Sequence, residues 1–175
     1  DEVERLVEEV EKLVEEWIRD LERILDESRR TVEEWKKELK RLLDRSKRLV
    51  EDAKRKNSKD ERVLRELDER VRRINEESKR RNDEAKKESE RSLREIEKRN
   101  KEVADRVRDI LEELRRKDAK KDIERRLERL MEELHRVSKE VLDADRELLK
   151  ELHDVSREVN KRNEELLDEL RKTVT

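Results

Sequence analysis

The sequence predicts an all-α fold: a single-chain, antiparallel, up-down-up bundle of three long, nearly straight helices. Three observations predict it. The 175 residues contain no Gly, no Pro and no Cys, so none of the usual backbone punctuation interrupts the chain. Apolar residues return at steps of three and four along three stretches, the spacing of one helical face. Two short polar breaks, near 57 and 117, separate those stretches. The whole chain, 1–175, reads as one domain with helices at about 2–55, 59–116 and 119–173.

The first helix carries the stripe Val3, Leu6, Val10, Leu13, Trp17, Leu21, Ile24, continuing through Trp35 and Leu39 to Ala53. A second column, from Val7 and Val14 to Leu43 and Val50, widens that face until it can touch two neighbours. The stripe stops at Arg55 to Glu61. There Asn57 can take the left-handed conformation that ends a helix without Gly. Ser58 and Glu61 match a capping box, in which each side chain accepts from a free N–H of the new helix.

The second helix carries Leu64, Leu67, Val71, Ile74, Ile96, Val103, Val107, Ile110 and Leu114, and stops at Arg116-Lys117-Asp118. Asp118 is the expected N-cap of the third helix, with Asp122 favourable in its first turn. The third stripe runs from Ile123 and Leu127 through Val141 and Val159 to Leu170. Helices of this length span roughly 80 Å at 1.5 Å per residue. Short connections make neighbours antiparallel. The outer faces hold Glu four residues before Lys or Arg, as in Glu8–Lys12, Glu15–Arg19 and Glu33–Lys37, so the charge runs read as solvated helix faces.

Polar residues interrupt the stripes at an 18-residue interval: Trp17 and Trp35, Asn82 and Asn100, His135 with Ser138 and His153 with Ser156, Ser28 and Ser46. Eighteen residues are five helical turns, so each copy returns to the same face. In a hairpin, facing residues have numbers with a constant sum. The first turn then places Trp17 opposite Asn100, Trp35 opposite Asn82 and Ser28 opposite Ser89. The second places Asn100 opposite His135 and Ser138, Asn82 opposite His153 and Ser156, and Ser92 opposite Asp145. It also places Asn75 opposite Asn160 and Asn163. Four hydrogen-bonded layers are expected: Trp17/Asn100/His135/Ser138, Trp35/Asn82/His153/Ser156, Ser28/Ser89/Ser92/Asp145, and Asn75/Asn160/Asn163 with Ser46. An unpaired buried polar group costs about 1–3 kcal/mol, so retaining so many makes sense where they pair with each other and fix register.

Other chemistries fit poorly. His135 and Ser138 share a face, but Asp145 lies two turns away and no Gly-rich turn or loop supplies an oxyanion hole. The sequence therefore predicts no enzyme and no cofactor. The two histidines lie about 27 Å apart along one helix at 1.5 Å per residue, too far to share a metal ion. Buried neutral histidines would instead predict lower stability at acidic pH, through desolvation of the charged ring. The two Trp read as core filler with a satisfied N–H rather than a base-stacking platform. Lys and Arg number 51 against 53 Asp and Glu, which gives no electrostatic case for nucleic acid or anionic membrane. No apolar run approaches the roughly 18 residues of a membrane span. Asp1 and Glu2 stand where a targeting signal would be basic. The expectation is a soluble synthetic chain.

Gly-free and Pro-free Glu/Lys/Arg/Leu helices, wide stripes and repeated Ser, Asn, His and Trp core layers resemble computationally designed helical bundles with modular hydrogen-bond networks. The resemblance covers the whole chain. It implies a structural scaffold without natural activity and without a required partner. It also allows an interaction module that accepts a fourth helix or associates with a second copy. The feature separating the two is the third helix, whose doubled positions, such as Val137/Ser138, Val141/Leu142 and Leu148/Leu149, make its face the widest. Natural spectrin-like repeats also carry core Trp, but on shorter helices without the 18-residue copy.

Overall fold

A computed structural model describes residues 1–56 and 60–174. The described residues form three helices: α1 (Glu2–Lys56), α2 (Glu61–Arg116) and α3 (Lys121–Val174). Each has one apolar face, as the three-and-four spacing dictates, and no strand occurs among the described residues.

The helix ends follow from local chemistry. Asp1 caps α1, its carboxylate accepting from the Val3 N–H at 3.4 Å and its carbonyl from Arg5 at 3.1 Å. Asn57 and Ser58, expected to shape the first turn, lie outside the described residues. The cap of α2 is Asp60, whose carboxylate accepts from the Arg62 N–H at 3.1 Å while its carbonyl takes the Leu64 N–H. Glu61, expected as the second member of a capping box, is instead the first helical residue.

Asp118, the expected N-cap of α3, instead ends α2. Its φ is 51°, the left-handed region, and its N–H donates to the Arg115 carbonyl at 3.3 Å. The Ala119 N–H reaches back to Leu114 at 3.1 Å. This pair of bonds, six-to-one and five-to-two, is a Schellman motif with Asp in the position that usually holds Gly. Ala119 packs against the apolar cluster that contains Leu114, as that motif favours.

Packing divides the chain into two compact units, each built from one segment of every helix. Unit 1 holds Asp1–Arg29 and Glu90–Glu147. Its core is one cluster in which Trp17, Leu21 and Ile24 of α1 meet Ile96, Val107 and Leu114 of α2 and Leu127 and Leu134 of α3. Unit 2 holds Arg30–Ser89 and Leu148–Thr175. Its core has two clusters, one around Val32, Trp35, Leu39, Ala85 and Leu152, the other around Val50, Leu64, Val71 and Leu166. In both units the start of one helix packs near the end of the next, the antiparallel order expected of short connections.

Candidate functional site: the buried polar residues

The polar residues on the inner faces are the only candidate centre that the sequence offers, and the structure sorts them into three groups. In unit 1 the Trp17 Nε1–H donates to Asn100 Oδ1 at 2.9 Å, with both side chains buried. The indole N–H can only donate, so the amide oxygen is the acceptor that makes its burial tolerable. The rest of the expected first layer does not assemble. His135 is exposed, and the Ser138 hydroxyl and the Asn100 amide nitrogen are buried without a protein partner. The low-pH instability argued from buried histidine loses its premise at His135.

The second group centres on Asp145, 2% exposed. Ser28 of α1 donates to its Oδ1 at 2.6 Å, and Ser92 of α2 approaches the same oxygen at 3.5 Å. One carboxylate on α3 thus gathers hydroxyls from both other helices. Burial pushes the Asp145 carboxyl above its ordinary value, and the two serine bonds pull it part of the way back. Ser89, expected in this layer, is buried with its hydroxyl unpartnered.

The third group lies in unit 2. Ser156 donates to Asn82 Oδ1 at 2.9 Å, and Asn82 Nδ2 donates to Asn160 Oδ1 at 3.3 Å. Asn160 was expected with Asn75 and Asn163. Trp35 was expected on Asn82, but its Nε1–H donates to Glu88 Oε2 at 2.9 Å, on an exposed glutamate. His153 is half-buried and makes no side-chain hydrogen bond among the described residues. The Asn75/Asn160/Asn163/Ser46 layer does not form. Both amide atoms of Asn163, Asn75 Oδ1 and Ser46 Oγ are buried without a protein partner, as is Ser78 Oγ.

The 18-residue copies are therefore unequal, and the reason is geometric. The facing rule fixes the height of a residue along its helix. It does not fix which of two neighbouring seams the side chain enters. Trp35 and Asn82 share a height but turn to different partners. The sequence signal for Glu88 is its spacing: it sits six residues, less than two turns, beyond Asn82 on the same helix, within reach of a long indole.

Ion pairs cross the outer seams. Arg99 holds Asp20 at 2.7 Å, Arg106 holds Glu9 at 2.6 Å and Arg81 holds Glu38 at 3.1 Å. Lys36 bridges to Glu151 at 3.0 Å and to Glu33 at 3.3 Å, so Glu33 pairs with Lys36 rather than with the expected Lys37. Neither Glu8–Lys12 nor Glu15–Arg19 forms among the described residues. No group of three His, Cys, Asp or Glu able to hold a metal ion occurs among the described residues. No described helix is long and apolar enough to cross a membrane.

No family model matches the chain, and no curated protein matches it. Among solved structures, it is similar to a computationally designed three helix bundle at 20% identity, covering 99% of this chain and 83% of that one with a TM-score of 0.41.

Proposed function

We propose that the chain is a de novo designed structural scaffold, without natural biochemical activity, whose buried polar groups select one register of its helices. The observation that carries this is Asp145. A buried carboxylate with raised proton affinity is costly, and an apolar residue there would stabilise more. What it supplies is a bond to α1 and a bond to α2 at one height. Sliding either helix by one turn, about 5.4 Å, would break those bonds and strand the carboxylate. The absence of Gly, Pro and Cys and the 18-residue copying support the designed origin.

The test is a triple variant, Asn82→Leu, Asn100→Leu and Asp145→Leu. It should stay helical with an equal or higher thermal midpoint, while light scattering and amide NMR show several coexisting species. A single monodisperse species with wild-type amide dispersion would overturn the register role.

One observation favours a second reading, a three-helix half that takes a fourth helix or a second copy. Of the doubled positions on α3, Val137/Ser138, Val141/Leu142, Leu148/Leu149 and Val155/Ser156 all remain half-buried. A partner would complete their burial. Light scattering on the purified chain decides between the two: a monomer across the micromolar range supports the scaffold, a concentration-dependent mass the module.

A further inference from the structure

We propose that unit 2 contains a binding site for a compact multivalent phosphate, of the size of inorganic pyrophosphate, in a cleft between α1 and α2. The cleft has a volume of about 480 Å³ and is lined by Arg45 and Arg48 of α1 and Arg70 and Arg73 of α2. Leu49 and the buried Ile74 contribute its apolar lining.

Several pairs facing across the α1–α2 seam carry opposite charge, as in Arg81–Glu38, Arg99–Asp20 and Arg106–Glu9. Here Arg45 faces Arg73 and Arg48 faces Arg70 by the same antiparallel register. Like charges across a seam repel. Among the described residues, Arg45, Arg48 and Arg70 have no carboxylate within 4.0 Å, and Arg73 has only the loose 3.9 Å pair with Glu69. Four arginines line one cleft, three of them with no carboxylate within 4.0 Å among the described residues, which leaves donor forks free. Those forks match the paired oxygens of phosphate, and each can bind two of them.

The ends of the cleft set the ligand's size. Glu77 lines this cleft, and a smaller neighbouring one that shares Leu49 and Arg70 brings Asp52 and Glu66. These carboxylates disfavour an extended polyanion such as a nucleic-acid strand, whose charge would run past the arginines. A small ion placing two phosphoryl groups between the two arginine pairs stays within reach of the four arginines and does not extend toward Asp52 and Glu66.

The test is titration of inorganic pyrophosphate into the full chain at low salt, followed by calorimetry and by the arginine side-chain Nε–Hε NMR signals. One-to-one binding is expected, with the largest shifts at Arg45, Arg48, Arg70 and Arg73. The variant Arg45→Glu, Arg48→Glu should weaken binding by more than about tenfold, since two of four charge-assisted contacts become repulsive. Its denaturant midpoint should be equal to or above wild type, because it turns like-charge pairs into opposite ones, so loss of binding would not reflect unfolding. The control Arg125→Gln, Arg129→Gln should bind as wild type does. No binding, shifts spread over all arginines, or equal loss in the control would overturn the site. Tighter binding of a single-stranded oligonucleotide through the same arginines would overturn the compact ligand.

Discussion

Asp145 and Asn163 show what a buried polar side chain does with and without partners. Asp145 carries two serine bonds, yet burial still holds its carboxyl above the ordinary value of 3.8. A carboxyl raised in this way binds more protons folded than unfolded between the two pKa values. Its contribution to stability therefore grows as pH falls from the raised folded value toward the unfolded one, and shrinks as pH rises. Asp145→Asn removes that dependence. Urea midpoints of both proteins from pH 7 to pH 4 should differ most at pH 7 and converge on acidification; a constant difference would exclude Asp145 as the source. Asn163 is fully buried with neither amide atom partnered. Asn163→Leu should raise stability by about 1–3 kcal/mol, the cost of an unpaired buried amide, as read from a denaturant melt. The facing rule read from the sequence brings together Trp17 and Asn100, Asn82 and Ser156, and Ser28 and Ser92 with Asp145. It fails for Trp35 and His135, because height along a helix is legible in residue numbers and direction around it is less so. The two Trp make that difference measurable. Asn100→Ala leaves a buried indole N–H unpaired and should cost about 1–3 kcal/mol. Glu88→Ala leaves the Trp35 N–H at the rim, where water replaces the carboxylate, and should cost less than about 1 kcal/mol. Equal losses in chemical denaturation would mean that the two copies are equivalent after all.

The stripes of α1, α2 and α3 were legible from end to end, because a burial pattern fifty residues long averages out local ambiguity. The helix ends were less so. Asp118 suits an N-cap and a left-handed C-cap by sequence alone, and only the backbone distinguishes them. Its φ of 51° carries a strain that Gly would not have. Asp118→Gly should therefore stabilise the chain by about 1 kcal/mol, and Asp118→Val should destabilise it, since a β-branched side chain resists that region. Thermal melts of the pair check this. The same substitution would be destabilising had Asp118 been the N-cap of α3, so the sign separates the two roles.

At the scale of the whole molecule the two units differ in how well their interiors are satisfied. Unit 1 has one continuous apolar cluster, a buried Trp17–Asn100 bond and the Asp145 group. Its buried unpartnered side-chain atoms are Asn100 Nδ2 and Ser138 Oγ. Unit 2 splits its core into two smaller clusters and buries unpartnered atoms on Ser46, Asp68, Asn75, Ser78, Ser89 and Asn163. Its cleft is lined by four arginines, Arg45, Arg48, Arg70 and Arg73, which repel one another. Each unpaired buried atom costs about 1–3 kcal/mol, so several of them outweigh the surface ion pairs of the same unit, which contribute about 0–1 kcal/mol apiece. Each helix contributes one segment to each unit, so the difference should appear as a gradient along each helix rather than as two melting transitions. Native-state hydrogen exchange tests it. Amides of 30–55, 62–89 and 148–170 should exchange through openings of lower free energy than those of 5–29, 90–114 and 124–147. Pyrophosphate in the arginine cleft should slow the first set and leave the second unchanged. Uniform protection along α1, α2 and α3 would mean that the orphaned groups of unit 2 carry no penalty.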